Sequence, residues 1–241
     1  MRSSLPRRTI TIALVVIGVL VAAIAVLLYR IPPVQGLGDK VKLPLFHGGS
    51  TWVDLMLFTL MGVAGLAYII RPRDRLYAWE VGFRTVAAPL WALNSVLGFI
   101  AALSTWDFSA SKESPLTIIP QDPRLSAQLI LLVGVAVVVI LDWLVLDDRR
   151  IKAVVDVVFV VVMWLLLANI FLDPVKQSLH PDSPVLNSGW EIRGPFFAIV
   201  AAIFAITLII SWLVASTVRP PEPSANRQNG ARGPKEPAIQ S

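Results

Sequence analysis

Six apolar runs, each about long enough to cross ~30 Å of hydrocarbon at 1.5 Å per residue, leave this chain few folds to choose from. They cover Ile10 to Leu28, Trp52 to Ile70, Thr85 to Leu103, Ala127 to Leu146, Ala153 to Leu172 and Pro195 to Ser216. Composition says the same: 56% of the 241 residues are hydrophobic and 15% charged, against about 25% charged in a soluble domain. The sequence therefore predicts an all-α polytopic membrane protein with six transmembrane helices. Residues 1–9 form an N-terminal segment, 10–216 a six-helix membrane domain, and 217–241 a tail rich in Pro, Gly, Asn, Arg and Gln that reads as disordered. No internal repeat is visible.

The connections are punctuated by breakers and charge. Pro32, Pro33, Gly36, Gly38, Gly48 and Gly49 mark residues 30–51 as a loop, with His47 near its end. Arg71-Pro72-Arg73-Asp74-Arg75 stops the second span and Asp147-Asp148-Arg149-Arg150 the fourth. The valine-rich centre of the fifth span suits a buried strand, but its length and flanking charges favour a helix. Arg2, Arg7 and Arg8 before the first run resemble a signal peptide's start. Tyr29-Arg30-Ile31-Pro32-Pro33 offers no small-residue cleavage site, so an uncleaved first helix is expected.

Orientation follows from the basic residues. Of 21 lysines and arginines, two thirds fall in the termini and in the segments around Arg71–Arg84 and Arg149–Lys152. Positive residues flank the cytoplasmic ends of spans. Both termini are therefore expected in the cytoplasm, in the inner membrane of a prokaryote. The loops holding His47, Trp106 to Arg124, and His180 then lie outside. The net charge of +5 serves orientation and anionic lipid, and no basic stripe with interleaved aromatics points to nucleic acid. There are 0 cysteines, which removes disulfides, thiolate metal sites and covalent c-type haem attachment.

Polar residues inside the spans are few. Glu80 and Arg84 stand four apart and are expected to pair on one helix face; a proton path is the sharper alternative for them. Asn94 and Ser95 are expected to face other helices. Asp54, Asp142 and Asp156 are placed near span ends, within reach of interfacial water. Trp52, Trp106 and Trp190 are expected at the outer edge, where tryptophan anchors spans and also lines sites.

Three stretches share a pattern. They are Leu45-Phe46-His47-Gly48-Gly49-Ser50-Thr51-Trp52; Asp122-Pro123-Arg124-Leu125-Ser126; and Asp147-Asp148-Arg149-Arg150 followed by Asn169 and Leu179-His180. In order, spacing and topology, over roughly residues 10–216, the chain resembles the CcmC-type branch of the cytochrome c assembly family. The first stretch looks like that family's aromatic-then-histidine turn, and the second like the end of its tryptophan-rich motif. The resemblance implies a protein that holds or transfers haem at the outer face during c-type cytochrome biogenesis, without itself being an enzyme. His47 and His180 would be axial ligands to the iron of a non-covalent, b-type haem. Trp106, Asp122 and Arg124 would belong to the same site, with Arg124 reaching a haem propionate or Asp122. The implied partners are a haem chaperone or apocytochrome c maturation proteins, and an ABC-type membrane complex.

The chain departs from the family where the platform should be. Ser114-Pro115-Leu116-Thr117-Ile118-Ile119-Pro120-Gln121 holds no tryptophan, and Gly48-Gly49 stands where the family tends to have Val-Pro. A relative that kept the fold as a structural or scaffolding subunit without haem is the alternative reading. A small-molecule transporter is a third, with neither a repeat nor a buried substrate site to support it.

Overall fold

The computed structural model describes residues 5–109, 112–173, 185 and 188–218. Among these the chain is helical, with no strand beyond an isolated bridge between Val34 and Gly38. The long helices are α1 (Arg7–Arg30), α2 (Lys42–Ile70), α3 (Asp74–Thr105), α5 (Pro123–Ile140), α6 (Arg149–Phe171) and α7 (Trp190–Ala215); α4 (Pro115–Ile118) is one turn in the loop before α5. A π-helical turn, Leu141–Val145, continues α5. Six helices are long and apolar enough to cross a membrane.

Each helix starts where local chemistry allows. Asp122 Oδ1 accepts the backbone N–H groups of Arg124 (2.9 Å) and Leu125 (3.0 Å), and Pro123 occupies the first turn of α5. An N-cap carboxylate and a proline at N1 are both suited to the donors that a helix start leaves unmet. Asp148 caps α6 in the same way through Arg150 and Ile151. Pro72 separates α2 from α3. Gly36 and Gly38 have φ of 83° and 56°, a backbone that favours glycine, and so turn the chain between α1 and α2.

The α2 helix begins at Lys42, well before the start that the apolar run at Trp52 suggests. Pro44 falls in its first turn, where a missing N–H costs nothing. Gly49 is not a turn residue: a Cβ there would stand 3.3 Å from Val200 of α7, so the glycine serves close packing. His47 is consequently a helical residue, half-buried in the bundle, rather than a loop residue.

Helices α2 and α3 form the centre, with α7 against both, α6 along α2, and α5 bridging α3 and α6. α1 packs on α7 and turns most of its surface outward. Lipid tails are as apolar as leucine, so close packing and interhelical hydrogen bonds must hold such helices together. Phe58 meets Trp91 and Phe159 edge-on at 5.9 and 5.1 Å. Trp91 Nε1 donates to the Gln128 carbonyl (3.2 Å), tying α3 to α5. Gly62 lies under Val160 of α6, and Gly82 lies under the backbone carbonyl of Ser211 on α7.

Candidate functional site

Alternation of the helices puts the start of α2, the end of α3, the start of α5 and the end of α6 at one end of the bundle, the histidine end. His47 sits there between α2 and α3. Its Nδ1 is 2.9 Å from the Asn94 amide. With Nδ2 toward the histidine, that amide donates to His47 Nδ1 and to Ser50 Oγ (2.7 Å), and its oxygen receives the Thr51 N–H (3.1 Å) and hydroxyl (2.7 Å). This orientation satisfies both ends of the amide. The Ser50 hydroxyl meanwhile donates to the Phe46 carbonyl (2.9 Å). Asn94 is thus one of the polar mid-span residues expected to face other helices, and what it faces is the histidine.

The other edge of the imidazole meets α3. A Cβ on Gly98 would stand 2.6 Å from His47 Cε1, 3.0 Å from Nε2 and 3.1 Å from Gln128 Oε1. Glycine is the one residue that lets histidine, glutamine and the α3 backbone converge. Asp54 lies two turns along α2, fully buried, and its Oδ1 accepts no hydrogen bond among the described residues. Protein closes around it, so it does not open to the interfacial region expected for it.

The remaining residues singled out in the sequence are spread over the same end. Trp106 closes α3, tilts against Phe108 at 6.2 Å and packs on a small cluster of Ala102, Ile119 and Leu125. Asp122 is buried as the α5 cap. Arg124 lies over the Phe171 ring, 5.9 Å from its centroid, and its Nε is buried with no hydrogen-bond partner among the described residues. In the loop, Asp107 accepts the Ser109 N–H (2.9 Å), which holds its carboxyl below the usual range. Trp52 and Trp190 are exposed; Trp190 opens α7, whereas Trp52 lies ten residues into α2, within the helix rather than at its end. His180 lies outside the described residues.

A haem at this end meets a mixed reception. The donor chemistry suits it: an imidazole held at Nδ1 by a second group is how metal-ligating histidines are oriented, and an unsatisfied guanidinium nitrogen suits a carboxylate. The packing does not. When Nδ1 accepts from Asn94, a neutral imidazole carries its proton on Nε2, and Nε2 is pressed toward Gly98. A cavity beside Gln128, lined by Ser95, Phe99, Ile119, Leu125, Gln128 and Leu129, measures about 10 Å³, the room of one water. In this arrangement His47 does not fit an axial ligand of a porphyrin, and no step is derived through one.

The opposite end holds a second polar centre. Arg84 of α3 reaches Asp156 of α6 (2.6 Å) and Asp142 of the π turn (3.0 Å). Lys152 joins Asp142 at 2.9 Å and donates to its carbonyl (2.8 Å). The sequence suggests a local Glu80–Arg84 pair; the guanidinium instead bridges two other segments. Asp156 is fully buried, so it too lies away from the interfacial water expected for it. Local spacing carries no trace of such partners, since Asp156 stands 72 residues beyond Arg84.

No protein-family model matches the chain, and no curated protein matches its sequence.

Proposed function

We propose that this chain is a membrane protein that holds or passes haem at one membrane face during c-type cytochrome biogenesis. The observation that carries the reading is the placement, at one end of the bundle, of two residues that the resemblance names: His47, braced by Asn94, and Arg124, whose buried Nε has no hydrogen-bond partner among the described residues. The excess of arginine and lysine at the opposite end supports an outward-facing histidine end and cytoplasmic termini in a prokaryotic inner membrane.

The test is the visible spectrum of the detergent-purified protein, oxidised and reduced, with extracted haem quantified. Near-stoichiometric haem that is lost in a His47→Ala, His180→Ala double variant is the expected result. Equal haem in both proteins sinks the ligand assignment.

A second reading has its own support. The packed imidazole and the missing tryptophans favour a scaffolding subunit that holds no haem. It requires that the same membrane proteins copurify with wild type and with the folded double-histidine variant; their loss from the variant counts against it.

A further inference from the structure

The geometry points to a proton-binding site inside the membrane, formed by the carboxyls of Glu80 on α3 and Asp156 on α6. It is independent of the haem reading and lies at the opposite end. Glu80 is the seventh residue of α3, so it sits about 9 Å along that helix at 1.5 Å per residue. It is fully buried, as is Asp156. Glu80 stands one turn before Arg84, whose guanidinium holds Asp156 at 2.6 Å. The Glu80 carboxyl carbon converges with Ala153 and Val157 of α6 on one point beside Gly65, each 3.3–3.5 Å from where a Cβ there would lie. The two carboxyls are therefore neighbours across α3 and α6. Neither oxygen of Glu80, nor Oδ1 of Asp156, receives a hydrogen bond from any donor among the described residues.

Two ionised carboxylates are acceptors only. Buried together with no donor between them they repel, and one of them must keep a proton. The protonated acid then donates to its partner. Charge balance around the pair gives the same count. Arg84 and Lys152 supply two positive charges against Glu80, Asp142 and Asp156. One proton on the pair makes the cluster neutral, as burial in hydrocarbon favours.

Four elements surround the pair. α3 brings Tyr77 and Arg84, the π turn Asp142, and α6 Lys152 and Asp156, with Arg149 over the Tyr77 ring. α2 presents Gly65 to the Glu80 carboxyl, and its Tyr68 ring tilts against Tyr77 at 5.3 Å. Beyond these, α7 brings the Ser211 backbone against Gly82, and no titratable group. A metal cation in place of the proton has little to hold it: no group of three or more acidic or histidine side chains is arranged around such an ion among the described residues. α3 and α6 approach each other at few other points, so the shared proton is also a tie between them.

The test is infrared spectroscopy of the full chain in lipid vesicles, in H₂O and D₂O, reading the C=O stretch of protonated carboxylic acids at neutral pH. Wild type is expected to show such a band. Glu80→Gln, whose amide also donates to Asp156, should remove it and keep the thermal midpoint. Asp156→Asn should shift or remove the same band. Asp54→Asn should leave it in place, which separates it from the buried carboxyl at the other end of the bundle. Wild type with no band beyond that of Asp54 overturns the proposal without any variant having to fold. So does a band that survives both Glu80→Gln and Asp156→Asn. A band abolished by sodium at constant pH reassigns the pair to a cation and also overturns it.

Discussion

The two ends of the bundle solve the same problem by different means. Each buries polar groups that hydrocarbon would punish. The histidine end does so largely with neutral groups, two hydroxyls and an imidazole gathered on one amide at 2.7–2.9 Å, with Asp54 buried beside them. The arginine end uses full charges, with Arg84 clamped between two acids. Neutral networks can be rearranged at the cost of a hydrogen bond or two. Charge clusters cannot lose one member without leaving another bare. The first is an arrangement that can turn to admit a ligand, and the second is one that fixes helices in place.

The largest test of that contrast is Arg84→Met. It strands Asp156 in the membrane interior while Asp142 keeps Lys152, and removing one partner of a buried ion pair costs about 3–5 kcal/mol. Thermal unfolding in detergent should show a large drop for this variant. Arg84→Met combined with Asp156→Leu should recover most of it, since Lys152 still serves Asp142. A double variant as unstable as the single one would mean that the cluster holds the fold through something other than paired charge.

Two glycines sharpen the comparison. A Cβ on Gly82 would run into the backbone carbonyl of Ser211, which can yield only if α3 and α7 separate, so Gly82→Ala should cost about 1–3 kcal/mol. A Cβ on Gly98 meets only the tip of the His47 side chain and the Gln128 amide. Those can rotate, and alanine adds up to about 1 kcal/mol of helix propensity over glycine. Gly98→Ala should therefore be close to neutral in stability. If haem is handled at this end, the same change should alter the haem spectrum, because it evicts the imidazole from its inward position. Equal losses in both variants would erase the proposed difference between the ends.

Asn94→Ala removes the hub of the histidine end. It takes the amide donor from His47 Nδ1, while Ser50 and Thr51 keep their bonds to the Phe46 and His47 carbonyls, at a cost of about 1–2 kcal/mol, within the usual range for one buried hydrogen bond. Asn94→Asp should restore only part of this, since a carboxylate offers no N–H to His47. Thermal midpoints of the two variants in one detergent decide it.

What could be seen in the sequence divides along the same line. All six spans were legible, because twenty apolar residues between charges have one cheap outcome in a membrane. The position of His47 was not. Gly48 and Gly49 look like loop punctuation, and only the packing of Val200 and Phe196 on Gly49 reveals why a helix carries them. Asn94 was legible as an inward-facing residue, but its partner was not, since the pairing joins α2 to α3 across 47 residues. At the arginine end the i, i+4 rule pointed Arg84 at Glu80 on its own helix. Contact with Asp142 depends on a π turn that no local pattern announced, and contact with Asp156 on how α6 packs.

Asp122 yields the smallest effect and the cleanest separation of two roles. The resemblance places it in a haem site; the structure shows its Oδ1 taking two N–H groups at the start of α5. Asparagine caps a helix about as well as aspartate, and alanine loses about 1 kcal/mol. If capping is the whole role, Asp122→Asn should match wild type within a few tenths of a kcal/mol while Asp122→Ala falls by about 1 kcal/mol, and bound haem should follow neither change. If the carboxylate charge matters to a ligand at the histidine end, Asp122→Asn should lose haem while keeping its stability. Because asparagine keeps the cap and drops only the charge, that one variant tells whether this residue serves the helix or the site.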